Sequence, residues 1–153
     1  MAEFALVLPV LAMLIMGIFT GGMALNNKQQ ITSSARDAAR FGATLADDQC
    51  ASLSDCGGKN WAELVRALAV QRSNGTLLDA GVCVALVSGP GSAPTAMDAS
   101  HTTKSDGTAC FVDNSPDEGL RVQVSVNRSD VLDVVVFRKT LSLEANAIAQ
   151  FES

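Results

Sequence analysis

Between Phe4 and Asn27 the chain carries no charged side chain, and its centre reads FALVLPVLAMLIMGIFTGGMAL. A membrane-spanning helix needs roughly 20 predominantly apolar residues, and this run is long enough. It also excludes an all-β or small soluble fold for the first fifth of the chain, because a run this apolar must be covered by lipid or protein. One acidic residue, Glu3, stands directly in front of it. A carboxylate near the end of such a helix costs less than the roughly 2.5–3.5 kcal/mol charged at its centre. Two readings of Glu3 follow: solvated at headgroup level, or paired with a cation supplied by another chain.

All eleven Lys and Arg residues lie at or beyond Lys28, and the net charge is −5. An acidic balance argues against nucleic acid, whose phosphates call for a basic surface. A secretory signal would have a basic leading region, a shorter apolar stretch and a small-residue cleavage site. The segment has none of these, so it reads as retained. Lys28, Arg36 and Arg40 follow the span, and the positive-inside rule would place them in the cytoplasm. The cysteines point the other way, and a basic leader removed upstream would reconcile the two.

Cys50, Cys56, Cys83 and Cys110 all follow the apolar run. Four cysteines allow three pairings. Five residues separate Cys50 from Cys56, a loop that a disulfide can close, and Cys83 and Cys110 lie in strand-like runs, VCVALV and TACFV. The expected pairs are Cys50–Cys56 and Cys83–Cys110, in an oxidising space. Zinc is the rival reading, but its ligands usually come as close pairs and the chain has one histidine.

Helical periodicity continues beyond the span. Ile31, Ala35, Ala38, Gly42 and Leu45 recur at steps of four and three as one narrow, small-residue stripe. A helix from Glu3 to Ala46 would be about 66 Å long. Its extra length needs cover from the chain's own globular part or from neighbouring copies. Pro9 predicts a kink or local opening near residues 5 to 9. Gly17 and Gly21 form a G-x-x-x-G pair that serves close helix packing, or are glycines tolerated in a membrane helix.

From Asp47 the composition turns polar. A short helix, WAELVRALAVQRSNG, is expected after Lys59 or Asn60, with Trp61, Leu64, Val65, Leu68 and Ala69 on one side and a stop at Asn74-Gly75. Val82 to Val87 reads as a strand, Ser88 to Gly107 as an exposed loop, and Thr108 to Val112 as the next strand. LRVQVSV, from Leu120 to Val126, alternates strictly. VLDVVVF is ambiguous between strand and helix, and Leu141 to Phe151 reads as a final strand. The fold class is α+β: a long N-terminal helix over residues 1–46, then a disulfide-bonded head over 47–153 with an antiparallel sheet of about three to five strands.

Enzymatic constellations are missing from the sequence: there is no HExxH, CxxC or phosphate loop, and His101 lies in a Ser/Thr-rich loop. No cofactor is expected. The acidic stretch from Asp113 to Gly119 departs from EF-hand spacing and reads as a solvated turn, with calcium as the alternative.

The acidic residue followed by Phe-Ala-Leu-Val-Leu-Pro, the apolar run, and the segment QQITSSARDAARFGA together resemble the TadE-like pilins and pseudopilins of the type IV filament superfamily. The resemblance covers about 46 residues. It implies a structural role without catalysis, in a filament on a bacterial cell surface, reached from the cytoplasmic membrane. It implies a prepilin peptidase and an inner-membrane assembly platform as partners, alongside other copies or other pilins. It gives Glu3 the task of neutralising a neighbour's exposed amine, although the family acid usually stands fifth and here stands third. Glu3, Phe4, Pro9, Gly17, Gly21, Ile31 and Ala35 are the expected assembly residues. A monomeric membrane-anchored binding or adhesion module is the alternative.

Overall fold

The computed structural model describes residues 2–48, 56, 58–75, 77–78, 81–88, 96–97, 110–111, 119–134 and 137–150. Helix α1 spans Ala2–Asp48 without interruption, about 70 Å at 1.5 Å per residue. Pro9 lies inside it, and the opening expected over residues 5 to 9 does not break the element. Hydroxyl groups along the helix bond back to its own carbonyls, as Thr20 Oγ1 does to Met16 O at 2.7 Å and Ser34 Oγ to Ile31 O at 3.0 Å. Such back-bonding removes the cost of carrying Ser and Thr on apolar or buried faces.

Helix α2, Trp61–Arg72, begins where its sequence says it should. Asn60 is the N-cap and Glu63 reaches back to the Asn60 amide, a reciprocal capping box. Its buried face is Trp61, Ala62, Val65 and Ala69, with Leu64 half-buried against the core. Ala62 thus takes a place on the buried face expected for Leu68, which is only partly covered. The helix ends as Asn74 and Gly75 adopt φ of 51° and 79°, the left-handed region that Asn and Gly tolerate best.

The sheet has the order β2-β1-β3-β4, antiparallel throughout. β1 is Val82–Val87, β2 Ala96–Met97, β3 Arg121–Val134 and β4 Phe137–Gln150. β2 has two residues, so three strands carry the sheet. Alternation sets the faces. Val82, Val84, Leu86, Val122, Val124, Val126, Ala145 and Ala147 form the inner face and are buried with α1 and α2 in one core. The outer face of β4 is polar and exposed, except for Ile148.

Two strand expectations are corrected. Cys110 and Phe111 do not form a strand; Cys110 sits at a bend and bonds to Cys83. Two residues of the expected 88–107 loop, Ala96 and Met97, pair with Leu86 and Ala85 as β2. The ambiguous VLDVVVF is strand as far as it is described: β3 ends at Val134 and β4 starts at Phe137, and the two are paired. Cys83–Cys110 is present. Cys56 is disulfide-bonded as well, and its expected partner, Cys50, lies outside the described residues.

Candidate assembly and membrane-anchoring site

Helix α1 changes character along its length. Ile31, Ala35, Ala38, Ala39, Ala43 and Leu45 are buried in the head's core. Small residues on this face let the helix backbone come close to the sheet. At Gly42 a Cβ would lie 3.0 Å from both Val122 Cγ1 and Val65 Cγ2, and 3.1 Å from Trp61 Cζ2. The helix half beyond Gln30 is therefore part of the head, and the predicted stripe is covered from within the chain. Ile31 and Ala35, expected to meet a neighbouring copy, are fully buried instead. Their surface is spent on intramolecular packing.

From Val7 to Leu25 the helix is uncovered by the described residues. Twelve large hydrophobic side chains between Val7 and Leu25 are more than half exposed. Fully burying a side chain of this kind stabilises by about 1.5–3 kcal/mol, so covering all twelve is worth on the order of 20 kcal/mol or more. That exceeds the net stability of an ordinary domain, about 5–15 kcal/mol. Among the described residues, this helix is long and apolar enough to cross a membrane, with a window of mean hydropathy 2.1 and no buried residue.

Of the other expected assembly residues, Pro9, Gly17 and Gly21 lie in this exposed stretch. Glu3 and Phe4 fall in the first turns of α1, and Pro9 is exposed. Gly17 and Gly21, one helical turn apart, have nothing of their own chain within 4 Å of a Cβ position. The structure thus places Pro9, Gly17 and Gly21 on the exposed stretch of α1 and Ile31 and Ala35 in the core of the head, while the side chains of Glu3 and Phe4 lie outside the described residues. No group of three metal-ligating side chains occurs among the described residues. His101 and Asp113 to Glu118 lie outside the described residues.

Sequence reasoning missed what joins the two halves. Exposed Arg36 and Arg40 line a groove with Asn146, Ala147 and Ile148 of β4, beside the point where the free helix enters the head. Lys28, Gln29, Thr32, Ser33 and Asp37 continue that polar side of α1 down to Leu25. The basic residues had been read only for membrane orientation. The Trp61–Gly42 contact had a signal in the chain's single tryptophan, placed directly after an N-cap, but its partner is nineteen residues away.

Residues 1–40 match the family described as TadE-like protein. No curated protein and no solved structure matches the chain. The apolar helix and the matched segment together point to a membrane-anchored protein associated with the Tad pilus. Over its N-terminal 40 residues the chain is similar to the TadE-like family, consistent with a pilin-like protein.

Proposed function

We propose that this chain is a non-catalytic structural subunit, pilin or pseudopilin, of an extracellular type IV-like filament of the Tad class. One observation carries the reading: α1 is committed to the head from Ile31 onward and is uncovered from Val7 to Leu25. A single helix thus offers a rigid connection between a folded head and an apolar rod. Lipid covers the rod before assembly, and the rods of other copies cover it afterwards. Gly17 and Gly21 provide the low surface at which two such rods can approach closely. Glu3 would pair with the chain-start amine of a neighbour, fixing axial register; a buried pair of this kind serves specificity better than stability. A prepilin peptidase and an inner-membrane platform are the partners this role requires.

Glu3→Ala tests the reading. Filaments imaged by negative stain should be lost while the head folds and the chain reaches the membrane. Abundant normal filaments from Glu3→Ala would remove Glu3 from assembly. Absence of any polymer from the unaltered chain, with its native partners present, would favour a monomeric membrane-anchored binding module.

A further inference from the structure

Where α2 ends, the chain turns through Ser73, Asn74 and Gly75. The turn is held at both ends. Ser73 is fully buried; its Oγ donates to Val70 O at 2.7 Å and accepts from Leu77 N at 3.0 Å. Leu77 is itself buried in the core. Between these two anchors Asn74 and Gly75 are exposed, both at positive φ. Among the described residues the Asn74 side chain has no hydrogen-bond partner, and neither has the Gly75 N–H. Asn74-Gly75 is also the one Asn-Gly pair in the chain.

Such a pair holds an electrophile beside a nucleophile. The side-chain carbon Cγ of Asn74 and the main-chain nitrogen of Gly75 can close a five-membered ring. A side chain on the following residue crowds that closure, and glycine has none. A fold prevents closure where the following N–H is tied into a helix or strand, or where the amide side chain is itself held. The other described asparagines are restrained in one of these ways. Asn26 and Asn27 lie within α1, Asn127 and Asn146 lie in paired strands, and the Asn60 side chain caps α2.

We infer that Asn74 is a site of spontaneous deamidation, with water as its only co-reactant. The Gly75 nitrogen loses its proton to hydroxide and bonds to Asn74 Cγ. The Cγ–Nδ2 bond breaks, and the nitrogen takes a proton from water and leaves as ammonia. Water then opens the cyclic imide. Attack at Cγ leaves aspartate. Attack at the main-chain carbonyl leaves isoaspartate, in which the backbone runs through the former side chain and gains one methylene. Either product puts a carboxylate at the C-terminal end of α2, where the helix dipole disfavours negative charge. Isoaspartate also lengthens a turn whose ends, Ser73 and Leu77, are fixed by burial and by their mutual bond. The change therefore loosens the end of α2. It is independent of filament formation.

Ageing the full chain in detergent tests it, in water enriched in heavy oxygen, at mildly acidic and mildly alkaline pH. Peptide mass mapping, with enzymatic methylation of isoaspartate, reads each asparagine. Asn74 should convert before any other asparagine, take up one heavy oxygen, yield isoaspartate in excess over aspartate, and react faster at the alkaline pH. Gly75→Ala should lose most of the reaction. Asn74→Gln, whose ring would need six members, repeats the loss should Gly75→Ala misfold. Another asparagine converting first overturns the assignment. So does an Asn74 that stays intact in the folded chain over the time in which the urea-unfolded chain converts, since the turn then protects the pair. Aspartate without isoaspartate overturns the cyclic route. Exchange of the Leu77 amide should be faster in the aged chain than in the fresh one; equal protection overturns the loosening of the turn.

Discussion

The Trp61 indole N–H donates to the carbonyl of Gly42 at 3.0 Å, inside the core. This bond pins the first residue of α2 to the C-terminal part of the long helix. It needs the close approach that a residue without a Cβ permits, so the ring and the glycine are one device. Gly42→Ala should lower the head's stability by up to about 2 kcal/mol, since overpacking of about 1–3 kcal/mol is offset by a gain of about 1 kcal/mol in helix propensity. Trp61→Phe should cost about 1–3 kcal/mol, leaving less ring in the core. Urea unfolding of the head in detergent, followed by circular dichroism, measures both; an unchanged midpoint in Gly42→Ala would show that its neighbours yield freely.

Asn60 holds the start of α2. Its side chain accepts from Ala62 N while Glu63 returns a bond to the Asn60 amide. Asn60→Ala should cost about 1 kcal/mol, and Asn60→Asp much less, because a carboxylate caps as well. The same unfolding assay checks the ranking.

Gly81 precedes β1 at a point where backbone meets backbone. A Cβ there would come within 2.3 Å of Asn127 O. A carbonyl of a paired strand cannot swing aside as a side chain can. Gly81→Ala should therefore be more damaging than Gly42→Ala, by displacing β1 from β3. Amide hydrogen exchange of the strand Val82–Val87 is the direct readout, and protection equal to the parent's would refute the clash.

The two halves of α1 should respond oppositely to substitution. Ile31→Ala removes a fully buried side chain and should cost the head about 2–5 kcal/mol. Gly21→Leu adds bulk where nothing of the chain lies within 4 Å, so the head's unfolding should not move. Filament yield should fall in Gly21→Leu even so, if rods pack through that face. A head destabilised by Gly21→Leu would contradict the separation of the halves.

Cys83–Cys110 closes a loop with a sequence separation of 27. Chain-entropy arithmetic for a loop of that size gives about 3–4 kcal/mol. Cys83→Ala with Cys110→Ala should lower the unfolding midpoint correspondingly, and a reductant should reproduce the loss in the parent chain but add nothing from this bond to the double variant.

Much of this was visible in the residues. Spacing of Ile31, Ala35, Ala38, Gly42 and Leu45 marks a face to be buried, and all five are buried. Strict alternation in LRVQVSV marks a two-faced strand, and Val122, Val124 and Val126 share the inner face. Other segments were opaque for physical reasons. VLDVVVF has no polar alternation, so neither period stands out and its strand state had to come from its partner. SGPGSAPTAMDAS carries loop composition, and the two-residue β2 within it exists because β1 offers an edge.

The sequence by itself determined a long helix with an uncovered apolar half, a capped second helix and alternating strands, because propensity, capping and periodicity act between near neighbours. Only the tertiary structure decided what covers the second half of that helix: the chain's own sheet. A periodic stripe states that a face must be buried but not against what, since its partners are distant in sequence, from Trp61, nineteen residues beyond Gly42, to the strands β3 and β4. The same tertiary packing decided that Gly42 accommodates Trp61.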